Sequence, residues 1–123
     1  MYKTPTEKIT GNDETDHLIS KPISVTLLGK TFAVRGWKDV LIKICEAMIL
    51  KKPYEVAKFA QIRELNPENR TYFSFDESMI TDESAKLSNG LYVNTDGNPD
   101  DIYKRCKRIL TLCGYNHEDF AVN

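Results

Sequence analysis

The hydrophobic positions alternate in short stretches before they settle into helical spacing. Ile23, Val25 and Leu27 alternate with Ser24 and Thr26, the two-residue period of a half-buried strand. After Gly29-Lys30, Phe32 and Val34 resume the alternation, so the pattern predicts a hairpin with strands over 23–28 and 31–35. Trp37, Val40, Leu41, Ile44, Cys45 and Met48 then share one broad face at a helical step, which predicts a helix over 37–51 stopped by Pro53. Ile42, Ile49 and Leu50 fall outside that face. A second helix is expected over 54–65, with Val56, Phe59 and Ala60 inward and Asn66-Pro67 ending it.

Further along, residues 72–75 read as a short aromatic strand, 76–84 as an acidic linker, and 91–93 as a strand just after the Asn89-Gly90 turn signal. The clearest element follows. Asn98 suits a helix N-cap, Pro99 the first helical position, and Asp100 and Asp101 the positive end of the helix dipole. Ile102, Cys106, Ile109 and Cys113 form its inward stripe, and Gly114 is its stop. Phe120 and Val122 suit a last strand. The order β-β-α-α-β-β-α-β predicts an α+β domain over 23–123, a small mostly antiparallel sheet packed by three helices. Residues 1–22 read as a flexible polar leader.

Composition adds limits to this. A chain of 123 residues, 41% apolar and 28% charged, has the material for one soluble domain and little room for a second. Three cysteines, Cys45, Cys106 and Cys113, without close pairing argue against a secreted disulfide framework, and the cytoplasm is expected. No run of 18 apolar residues and no signal-peptide core occur, so no membrane partner is expected.

The net charge of −1 hides an uneven layout. Residues 29–70 hold nine basic and five acidic groups, and 102–123 four basic and two acidic. Residues 71–101 hold one basic and seven acidic groups. Neutrality is therefore the sum of basic helical regions and one acidic segment, and it does not argue against a polyanionic partner.

Several chemistries lack the residues they need. Gly29-Lys30-Thr31 resembles the end of a phosphate-binding loop, but Ser24 stands where the first glycine belongs and a strand follows instead of a helix. The two histidines, His17 and His117, are not clustered with cysteines in a zinc pattern. Cys113 lies on an inward stripe, which disfavours a Cys113–His117 nucleophile pair. The carboxylates of the acidic linker have no burial to shift them towards a working pH. The expectation is a chain that is not an enzyme and holds no metal or cofactor.

The candidates that remain are for binding. Lys104, Lys107 and Arg108 lie near the pole of the last helix opposite its inward stripe, where they would contact phosphates. Asn94 and Thr95, in the loop entering that helix, would add neutral hydrogen bonds to sugar, phosphate or base. This reading makes the chain a non-catalytic binding module for nucleic acid, DNA being the expected type, or a part of a nuclease- or defence-type assembly. The alternative is a protein-interaction or self-associating factor, such as an inhibitor from a mobile element. Its interface would be built on Ile42, Ile49 and Leu50 as an exposed apolar patch.

One set of residues also carries a resemblance. Phe32 and Val34, Trp37-Lys38-Asp39-Val40-Leu41, Gly90-Leu91-Tyr92-Val93-Asn94-Thr95, Ile102, Leu110 and Phe120-Ala121-Val122 together resemble a small α/β accessory domain. That domain is found in bacterial restriction- and defence-associated and phage-associated proteins, often beside nuclease or helicase domains. The resemblance implies an accessory module that binds DNA or a partner protein, and it supplies no catalytic residue. Asn98-Pro99 replaces that domain's usual Ser or Thr before the last helix.

Overall fold

A computed structural model of the chain describes residues 19–123, apart from the side chain of His117. The leader expected over 1–22 therefore lies mostly outside the described residues. Its last part belongs to the fold: Pro22 is buried, and the Ile19 carbonyl accepts a 2.7 Å bond from the Trp37 indole.

The architecture is α+β. In chain order come β1 (Ser24–Leu27), β2 (Lys30–Ala33), α1 (Trp37–Lys51), α2 (Pro53–Ala57), β3 (Phe73–Ser74), β4 (Ser84–Lys86), β5 (Tyr92–Asn94), α3 (Pro99–Leu112) and β6 (Phe120–Val122). The strands form two antiparallel three-stranded sheets, ordered β2-β1-β6 and β3-β5-β4, in place of the single sheet expected. In the first, Val25 faces Phe32 on one side and Val122 on the other. In the second, Phe73 and Ala85 flank Val93.

α1 packs against α3 to form the helical layer. Trp37, Val40, Leu41, Ile44, Cys45 and Met48 of α1 are buried, as their spacing requires, against Ile102, Cys106, Ile109 and Leu110 of α3. Trp37 is a corner of this core, with its indole edge-on to Tyr103 at 6.1 Å. α3 begins and ends as its sequence dictates. The Asn98 side chain accepts from Asp101 N–H at 2.9 Å, and Gly114, at φ +87°, lets Tyr115 N–H reach back to the Leu110 carbonyl at 2.9 Å.

Two expected elements differ. The second helix ends at Ala57 and continues as a 3-10 turn over Phe59–Gln61, because Asn66 takes over the polar groups beyond it. Its amide donates to the Phe59 and Ile62 carbonyls at 2.8 and 3.0 Å, and its oxygen accepts from Tyr72 and Phe73 N–H at 2.9 and 2.8 Å. This one side chain ties the end of the turn to β3. The linker expected over 76–84 gives way at its end to β4, which forms a hairpin with β5 around Gly90, at φ +91°.

Candidate interaction surfaces

The first surface surrounds Tyr72 at the base of α3. Arg105 leaves α3 on the flank of its inward stripe, so its guanidinium turns towards β5 and packs 4.4 Å from the centre of the Tyr72 ring. It donates to the Asn94 carbonyl and, at 3.2 Å, to the Asp96 carbonyl. Burial, the largest influence, lowers its proton affinity, while the Tyr72 side chain acts in the opposite sense. Arg70 approaches the same ring at 5.5 Å and bonds Asp82 at 2.9 Å and Asp96 at 3.0 Å. Hydrogen bonds from Arg70 and from the Asn94 amide hold the Asp82 carboxyl below the usual carboxylate range. Lys38 bonds Glu83. The acidic segment therefore folds back onto the basic one and neutralises part of it.

This arrangement relocates the residues expected to bind nucleic acid. Asn94 and Thr95 are 0% and 3% exposed, so neither side chain is available to a ligand. Asn94 is used internally, donating to Asp82 at 3.1 Å and accepting from Asp96 N–H at 2.8 Å. The expectation for these two is corrected: Asn94 orders the turn into α3, and Thr95 is buried beside it with its N–H donating to the Glu83 carbonyl at 2.9 Å. Lys104 is exposed and pairs with Asp100 at 3.1 Å, one helical turn back. The Lys107 ammonium lies 4.6 Å from the Tyr103 ring. Arg108 is exposed, with Lys104 and Arg105 along a shallow cavity of about 160 Å³ that Glu64 and Asp101 also line. Arg105, the residue that organises this region, was missed as a candidate because its flank position reads as neither core nor surface. The nearby aromatic Tyr72 was the available signal.

The second surface lies between the β1–β2 hairpin and the outer side of α1. A cavity of about 320 Å³ opens there, floored by Leu27, Leu28, Phe32, Ala47 and Leu50 and edged by Lys30, Lys43 and Lys51. Lys43, Glu46, Ala47, Leu50 and Lys51 follow the i, i+3, i+4, i+7, i+8 spacing of one helix face, so this side of α1 is presented as a unit. Leu50 is 84% exposed. Glu46 is held by the β4–β5 turn, with its oxygens accepting from Ser88 N–H at 2.9 Å and from Ser88 Oγ–H at 2.5 Å. Among the described residues Lys30, Lys43 and Lys51 form no ion pair.

The hairpin turn adds a second feature. Leu27 pairs with Lys30, so Leu28 and Gly29 alone make the turn, both at positive φ (+51° and +83°). Such turns favour Asn, Asp or Gly at the first position. A leucine there costs about 1–2 kcal/mol in backbone energy. Its side chain lines the groove and packs partly against the core.

The interface trio expected on α1 is divided by this geometry. Ile42 and Ile49 are half-buried against the core, whereas Leu50 is exposed. The helical step puts Leu50 roughly 80–100° around the axis from the other two. Only Leu50 belongs to the groove; Ile42 and Ile49 flank the opposite side of the core stripe and make no joint patch with it.

The three cysteines are buried and unpaired. Burial pushes the Cys45 thiol far up, Cys106 to about 12 and Cys113 to about 11. Among the described residues no three His, Cys, Asp or Glu side chains are grouped to hold a metal ion, and no helix is long and apolar enough to cross a membrane. No family model, curated protein or solved structure matches the chain.

Proposed function

We propose that the chain is a non-catalytic interaction module that docks a protein partner in the groove between the β1–β2 hairpin and α1. The exposure of Leu50 among the apolar side chains of the groove carries this reading, because an uncovered apolar patch rimmed by polar groups is characteristic of interaction sites. The strained Leu28 supports it, since it places an apolar side chain in the groove at a position where Asn or Gly would fold more easily. The resemblance to accessory domains of defence-associated and phage-associated proteins fits a module that works through a partner in a nuclease-type assembly.

A second reading, contact with DNA along α3, is favoured by one observation: Arg108 is exposed on the same helix as Lys104 and Lys107. NMR amide mapping separates the two. Peptides selected from a random phage-displayed library are expected to shift Leu28, Phe32, Ala47 and Leu50. A short DNA duplex is expected to leave Lys104, Lys107 and Arg108 unmoved. Shifts in α3 with DNA that disappear in Lys104→Glu/Arg108→Glu, together with no peptide response in the groove, would establish the second reading instead.

A further inference from the structure

Building on the docking reading, we infer that the groove selects an acidic amphipathic segment of its partner protein, with large apolar residues on the floor and Asp or Glu side chains along the rim. Groove and segment are complementary in charge. Three lysines line the groove beside its apolar side chains and have no carboxylate partner among the described residues, while the groove's one carboxylate, Glu46, is turned to Ser88. Such a rim attracts anions and disfavours a basic segment of the same apolar content.

The spacing of the rim favours a chain over a single head group. Lys43 and Lys51 are eight residues apart on α1, about 12 Å along the axis, and Lys30 stands across the groove on β2. Lysines spread over that length match charges distributed along a peptide more fully than they match one carboxylate or phosphate. The floor gives the complementary half of the match. Leu27, Leu28, Phe32, Ala47 and Leu50 offer contact to apolar side chains but no donors for the sugars or bases of a nucleic acid.

The test uses the full chain and three fluorescent synthetic peptides that share the same Leu and Phe positions at i, i+4 and i+7. Their remaining positions are Glu, Ser or Lys. The Glu peptide is expected to bind at least about tenfold more tightly than the Lys peptide, with the difference shrinking as salt rises. The variant Lys43→Glu/Lys51→Glu is expected to invert that order. Leu28→Asn is expected to weaken the Glu peptide about fivefold or more while its NMR spectrum shows an intact fold. Equal affinity for all three peptides at the groove would overturn acid selection and leave protein docking standing. Absence of binding by every peptide at about 1 mM would overturn both. Tighter binding of laurate or of a DNA duplex at the same amides, in competition with the Glu peptide, would overturn the inference in favour of that ligand.

Discussion

Around Tyr72 most positive charges are paired with carboxylates or held by carbonyls of the fold, whereas beside the hairpin they are not. Arg70 and Lys38 meet Asp82, Asp96 and Glu83, and Lys104 meets Asp100. Arg105 spends its guanidinium on two carbonyls and an aromatic face. Lys30, Lys43 and Lys51 stand over apolar side chains with no such partners among the described residues. The cations of both regions come from stretches that a residue count scores as basic. Pairing, which depends on where the acidic segment folds, decides which of them presents free charge. In the first region cations help hold the fold together, and in the second they form no ion pair among the described residues.

The largest effect that sharpens this contrast is the loss of Arg105. Arg105→Ala strands the Asn94 and Asp96 carbonyls and removes the stack on Tyr72, and is expected to cost about 3 kcal/mol in chemical denaturation. Arg105→Lys should recover only part of it, since an ammonium cannot both fork to two carbonyls and stack. Lys43→Ala, from the other region, should stay within about 0.5 kcal/mol of the parent. Comparable losses from both would erase the distinction.

Acid provides an intermediate effect. Asp82 titrates below its ordinary value of 3.8, so its contribution to stability is complete above that pH and is lost as pH falls through its lowered value. NMR during acid titration should show Arg70, Tyr72, Asn94 and Asp96 losing hydrogen-exchange protection there. Leu28, Phe32 and Leu50 should hold until global unfolding. Loss from both regions together would mean that the groove also depends on these ion pairs.

The smallest expected signal comes from the core between the regions. With Cys106 and Cys113 held at about 12 and 11, a thiol reagent at pH 8 should leave the native chain unmodified and react only on unfolding. Reaction without unfolding would show that the core opens. Above the ordinary thiol value of 9.0, the unfolded chain ionises while the buried thiols stay neutral, so stability should fall as pH rises from 9 towards 12.

The first and last helices and the hairpin were legible because each is a local pattern, whereas the early end of the second helix depends on Asn66. The stripe of α1, the Asn98-Pro99 start of α3 and the alternation at Ile23–Leu27 do not depend on distant residues. β4 was legible in part: Ala85 and Leu87 alternate with Ser84, Lys86 and Ser88 directly before the Asn89-Gly90 turn, but the acidic residues ahead of them read as a linker. The division into two sheets was not legible, because pairing Val25 with Val122 is a long-range choice that no periodicity records. For the surfaces, the count of cations was visible and their partners were not. Asn94 looked like a polar loop residue, and only its bond to Asp82 shows why it is buried. Leu28 was visible as a residue but not as a strained one.

The pairing of β1 with β6 also bears on the order of folding. β1 is the middle strand of its sheet, joined to β2 through a two-residue turn and paired with β6 only after α3 has intervened. Asn123 completes that edge, accepting from Ile23 and Ser24 N–H and donating to the Ser24 carbonyl. During synthesis the hairpin can therefore form early, while the other edge of β1 stays open until Phe120–Val122 has been made. An open strand edge is a template for unwanted pairing. The nascent chain is most prone to aggregate in the interval before Phe120–Val122 docks.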